Sequence, residues 1–187
     1  MPATVITTPS TTQPVALDLA KQYLRVDGTD QDAVVALLLA AAVDYVERYT
    51  SRALTPRTVA TTFALGEPYE LPLQPAQAPT AVTGAITDLA DLTRGYSEDY
   101  RKGIIVSRDY PLGWADFGQG YAAPTYTVTY PAGYPAGQCP AELQAAVLKL
   151  LAEWYENREN TVDGRVGAVS VGVREMLGPW RAQPLLV

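Results

Sequence analysis

The stretch "CPAELQAAVLKLLAEWYENRE", residues 139–159, decides the fold class. Pro140 stands where a helix-starting proline belongs, and Glu142 places a carboxylate in the favourable first turn. Leu143, Val147, Leu150, Leu151 and Trp154 follow at i, i+4, i+7, i+8 and i+11, one continuous apolar face. The spacing predicts a helix carried through to about Glu159. Upstream, a second helix is predicted from about Asp30 to Thr50. Thr29 with Asp32 three residues on reads as a capping box, with Asp in place of the usual Glu. Val34, Leu38, Ala41, Tyr45, Val46 and Tyr49 mark an apolar face. Val35, Leu39, Ala42 and Val43 widen it, so burial on more than one side is expected.

Two shorter helices complete the helical set. Leu17, Ala20 and Leu24 share a face over Leu17 to Arg25, and "VGVREMLGPWR" (residues 171–181) reads as a last helix ended by Gly178-Pro179. Between the long helices the pattern changes. Val59, Thr61, Phe63 and Leu65 alternate with period two, and "TYTVTY" (125–130) is the clearest strand, β-branched and aromatic throughout. Shorter strand candidates are Tyr69 to Leu73, Ala81 to Thr87 and Gly103 to Ser107. Pro72, Pro75 and Pro79 make the first two edge-like or irregular. Residues 109–124 read as a long loop and residues 160–170 as a turn-rich link.

Composition narrows the chemistry. The 187 residues include no histidine and one cysteine, Cys139. The commonest general base is therefore missing, as are Ser-His and Cys-His nucleophile pairs, an intrachain disulfide and a thiolate metal cluster. Net charge is −6, and of the 14 basic residues only Arg101 and Lys102 are adjacent. A protein that grips duplex phosphates carries a basic stripe, so tight nucleic-acid binding is disfavoured. No apolar run reaches the roughly 18 residues of a membrane span. The start, "MPATVITTPSTTQP", has no basic n-region, so a secretory signal is not expected and a cytosolic origin is.

Each candidate for chemistry has a plainer reading. Asp27, Asp30 and Asp32 lack the ligand spacing of a calcium loop and fit a turn and helix cap. Glu153, Glu156 and Glu159, with Arg158 nearby, form a solvated face rather than an acid–base pair. "GWADFGQG" (113–120) lacks the strand-to-helix context of a phosphate loop. Trp114, Phe117 and Tyr121 could stack on bases but have no basic residues between them. Cys139 has no base beside it and fits a helix boundary. Catalytic residues, metals and cofactors: none are expected.

The order of segments carries a resemblance. The opening "PVALDLAKQYLRVDGTDQDAVVALLLAAAVDYVERYTSRAL" (14–54), the strand region ending in "YTVTYPAGYP" (126–135), the helix at 139–159 and the close "GVREMLGPWR" (172–181) resemble the gp6-like head–tail connectors of tailed bacteriophages. Such adaptors also occur in prophages and gene-transfer agents. The resemblance covers about residues 14–181 and implies an α+β fold, mainly a helical bundle with a β insertion between the second and third helices. It implies one adaptor domain over 1–187, made of an N-terminal tail (1–13), a helical part (14–55), a β-rich insertion (56–138), a second helical part (139–181) and a C-terminal tail (182–187). The implied role is structural, not enzymatic. Subunits form a ring, a dodecamer in the family, under the portal protein; it meets a stopper or tail-terminator protein and lets duplex DNA pass without reading its sequence. The implied place is the neck of a virion assembled in the host cytoplasm, with no membrane partner. Carried onto this chain, portal contact falls on Arg181, Leu185, Leu186 and Val187. The outward end of the third helix, Tyr155, Glu156, Arg158 and Glu159, is expected to meet a neighbouring subunit. Three rivals remain: another neck or tail-completion protein, a DNA-packaging factor and a carboxylate-based hydrolase.

Overall fold

The computed structural model describes residues 3–10, 12–64, 69–85, 89, 104–105, 125–157, 161–162, 165–166 and 170–181. It divides into two compact units. One is helical, from residues 12–55 and 134–181; the other is built on a sheet, from residues 3–10 and 56–133. The α+β class and the strand zone between two long helices are as expected.

In the helical unit, α1 (Leu17–Leu24), α2 (Asp32–Thr50), α3 (Ala141–Glu156) and α4 (Val171–Leu177) enclose one apolar core. Leu143, Ala146, Val147, Leu150 and Leu151 bury the face of α3 that the spacing predicts. Each fully buried leucine contributes about 1.5–3 kcal/mol through removal of apolar surface from water. On α2 the inward seam is Val35, Leu39, Ala42, Val43, Val46 and Thr50. Val34 is exposed and Leu38, Ala41, Tyr45 and Tyr49 are half-buried, so the first face named from the sequence is a shoulder. The reason is physical: no polar residue lies between Asp32 and Asp44 to mark an outer side.

Helix ends differ from expectation as well. α2 starts at Asp32, with Gln31 at its N-cap and no side-chain capping bond there. The Asp32 carboxylate pairs instead with Lys21 Nζ, which also donates to the Gly28 carbonyl, tying α1 to the start of α2. α1 ends in a left-handed Arg25 (φ 57), where Arg25 N–H reaches Gln22 O and Val26 N–H reaches Lys21 O. This is a Schellman closure with arginine where glycine is usual. α2 ends the same way at Ser51 (φ 55), with Arg52 N–H on Glu47 O. After α4 the chain does not stop at Gly178-Pro179 but tightens into a 3-10 turn, Gly178–Trp180. Pro179 fits because an early helical position needs no N–H.

In the second unit, β1 (Ala3–Thr8), β2 (Arg57–Ala64), β6 (Thr125–Ala132) and β4 (Ala81–Gly84) form an antiparallel sheet in the order β1-β2-β6-β4. β3 (Tyr69–Glu70) pairs with β5 (Ile104–Ile105). β2 and β6 are in register from Arg57↔Ala132 to Ala64↔Thr125. Val59, Thr61 and Phe63 meet Tyr126, Val128 and Tyr130 on the buried face. Thr62 and Thr127 hydroxyls pair across the other face at 2.8 Å. Gly84 (φ 110) lets the end of β4 lie against β6; a Cβ there would sit 2.6 Å from the Thr125 carbonyl oxygen. β1 falls within the stretch read as a tail. It holds an edge position through Thr4↔Thr61 and Ile6↔Val59, with all six residues exposed. The expected link at 160–170 contains a small antiparallel pair, β7 (Thr161–Val162) with β8 (Arg165–Val166).

Candidate functional site

A cluster of polar and aromatic contacts in the helical unit gathers at the C-terminal end of α2. Arg52, just past the helix, donates from Nε to the Trp180 carbonyl at 2.6 Å, and its guanidinium lies 5.6 Å from the Trp180 ring centre. A second nitrogen reaches the Tyr134 hydroxyl at 3.4 Å. Trp180 in turn donates its indole N–H to Glu142 at the start of α3, at 2.7 Å. One turn back on α2, Tyr49 stacks with Tyr45 and carries the Arg181 guanidinium over its ring at 5.5 Å, while Tyr45 meets the edge of Trp154. Cation–π and charge-assisted contacts of this kind are worth about 0.5–3 kcal/mol each. The knot fixes Trp180 and Arg181 against the end of α2.

Beneath it, buried Glu47 accepts the Leu54 N–H at 2.8 Å, holding the turn after α2. Cys139 is also buried; burial first, and the Glu47 carboxylate second, push its thiol up to about 11. A thiol so protonated is a poor nucleophile. In the sheet unit, burial raises the Tyr130 phenol above its ordinary value, against the lowering effect of Thr61.

The residues expected to make contacts divide as follows. Arg181 belongs to the knot. Leu185, Leu186 and Val187 lie outside the described residues, as do Arg158 and Glu159. Glu156 is exposed at the end of α3. Tyr155 is half-buried on the core, and its hydroxyl donates to the Gln31 side chain at the start of α2. Glu153 accepts the Ser170 N–H at 3.4 Å and so closes the start of α4. Asp27 and Asp30 are exposed and lie apart from any ligand set. The stretch 113–120 and Trp114, Phe117 and Tyr121 fall outside the described residues. Among the described residues no three His, Cys, Asp or Glu side chains converge as metal ligands would, and no helix is long and apolar enough to cross a membrane. Sequence reasoning missed Arg52, Tyr134 and Trp180. The motifs "SRAL" and "GPWR" hold two of them, but no periodicity links positions 128 residues apart.

Sequence comparison settles the family. The profile described as "Phage gp6-like head-tail connector protein" matches residues 15–113, more than half of the chain. The chain belongs to the gp6-like head–tail connector family. No curated protein sequence matches this connector significantly. Solved structures extend the likeness over α3 and α4. A chain in the neck of an empty gene transfer agent (GTA) particle, computed with C6 symmetry, matches with a TM-score of 0.66 at 23% identity, over 100% of this connector and 97% of that chain. A chain in the virion of a native GTA particle matches at 0.69 and 22%, over 98% and 97%. A chain in the neck of a native GTA particle with C12 symmetry matches at 0.60 and 22%, over 97% of each. At these identities the structural likeness establishes a shared fold.

Proposed function

We propose that this connector forms a ring in the neck of a tailed phage or phage-like particle. The ring lies under the portal protein, joins it to the stopper or tail, and lets duplex DNA pass. The supporting observation is the near-complete coverage, in both directions, between this chain and chains of GTA necks with six- and twelve-fold symmetry. The acidic composition fits a ring through which DNA slides without being gripped. A structural role fits the Arg52–Trp180 knot, which joins helix ends rather than lining a reaction cleft. Long helices at both ends of the sequence count against a mostly β tail-completion protein.

Electron microscopy of purified particles carrying a tagged copy tests this reading. Tag density at the neck is expected, and density anywhere else overturns it. Portal contact is assigned to the C-terminal tail. Because Arg181 stacks on Tyr49, the truncation that tests this removes residues 182–187 and keeps Arg181 in place. The truncated chain is expected to fold and to lose portal docking; unchanged docking removes the tail assignment. Exposed Glu156, with Arg158 and Glu159, is assigned to contact with a neighbouring subunit.

A further inference from the structure

α2 presents two unlike sides. Val35, Leu39, Ala42 and Val46 face the core. At 100° per residue, Ala33, Leu37 and Ala40 lie opposite them, flanked by Ala36 and Val34. All five are exposed, Leu37 at 71% and Val34 at 46%. Between Asp32 and Asp44 the helix carries no charged or polar side chain, in a chain that is 18% charged. An exposed helical face is ordinarily charged, so an uncharged one with a protruding leucine marks a surface that is covered in the working state.

We infer that this outer face of α2 is a seam between copies of the chain, with Leu37 at its centre. The inference rests on the ring reading above and names the surface that would close it. Charge identifies the occupant. Each copy carries a net charge of −6, so identical copies repel, and they approach at least electrostatic cost where their surfaces carry no unpaired acidic group. The tract from Ala33 to Val43 meets that condition, while the outer side becomes charged again at Asp44 and Arg48. Cyclic rings use head-to-tail contacts, so this face would meet a different face of the next copy. Size sets the regime. Eleven residues rise about 16 Å on a helix about 10 Å wide. The strip is therefore on the order of 150 Å², well below the roughly 800 Å² per partner of a stable pair. It serves as the apolar centre of a seam completed by ring closure, and it would not hold two free copies together.

The test uses complete particles. Leu37 is replaced by photoreactive benzoylphenylalanine, particles are irradiated, and adducts are mapped by mass spectrometry. An adduct joining two copies of this chain is expected. An adduct to another particle protein, an adduct to the chain's own residues 182–187, or no adduct overturns the seam. Alongside, Leu37→Glu should melt like the wild type yet fall at least tenfold in incorporation, while Lys149→Glu, an exposed control on α3, incorporates normally. Wild-type incorporation of Leu37→Glu also overturns the proposal. Absence of the tagged wild-type chain from the neck is a separate outcome, and it defeats the ring reading itself.

Discussion

The Arg52 guanidinium both donates to the Trp180 main chain and covers the Trp180 ring, joining residues 128 positions apart. One planar side chain thereby ties the end of α2 to the 3-10 turn that closes the helical unit. Arg52→Ala should lower stability by about 2–3 kcal/mol, the sum expected for a charge-assisted bond and a cation–π contact. Thermal unfolding reads this as a drop of roughly 5–10 °C for a chain of this size. Arg52→Lys should recover less than half, because a point ammonium cannot stack and donate in two directions. A loss under about 0.5 kcal/mol for Arg52→Ala would show that the knot stabilises little.

Left-handed backbone at Arg25 and Ser51 gives a second expectation, of opposite sign. A Cβ in that region costs about 1–2 kcal/mol, and glycine avoids it at some cost in unfolded-state entropy. Arg25→Gly and Ser51→Gly should each stabilise the protein by about 0.5–1 kcal/mol, measured by denaturant midpoint. Lower midpoints for both variants would contradict the closure described for these helix ends.

Gly84 should tolerate nothing larger. Gly84→Ala drives a Cβ into the Thr125 carbonyl and strains a positive φ, so a loss of about 2–4 kcal/mol is expected. Hydrogen exchange should locate the damage to β4 and β6, with α3 amides unaffected.

The Cys139 thiol makes stability fall in alkali. Its folded-state pKa, about 11, lies above the ordinary value of 9.0, so the native state holds its proton longer than the unfolded chain does. The contribution is full below about pH 9 and is lost as pH rises towards 11. Tyr130, also raised, adds to the loss above about pH 10. Unfolding free energy measured from pH 8 to 11 should decline, and Cys139→Ala should flatten the earlier part of that decline. Glu47→Gln removes the second cause and should lower the thiol pKa, read from the rate of alkylation against pH. An unchanged alkaline slope in Cys139→Ala would count against this account.

Much of the fold was legible because strong periodicity met a single partner surface. α3 carries its apolar residues at unambiguous helical spacing, and β6 alternates without interruption, so both the elements and their buried faces follow from the sequence. α2 was legible as a helix but not in its rotation, since an uninterrupted apolar tract defines no side. β1 was illegible: "ATVITT" has a strand's composition, but its partner is more than fifty residues away and it buries no residue of its own. The contact residues were the least legible. Tyr155 sits among charged and amide residues in sequence, yet its ring packs on the core and its hydroxyl finds Gln31, 124 positions away.

The pairing of Arg57 with Ala132 has a consequence for how the chain folds. These residues are about 75 positions apart, and antiparallel pairing brings their backbones within about 5.5 Å. The core shared by α2 and α3 would otherwise require closing a loop of that length. Once β2 and β6 zip, the effective loop shrinks to the few residues on either side of the sheet. Loop-closure entropy then falls by about 2 kcal/mol. The β2–β6 ladder and the α2–α3 core are therefore coupled: whichever forms first lowers the closure cost of the other, so a variant that weakens the ladder should also slow docking of α3 on α2.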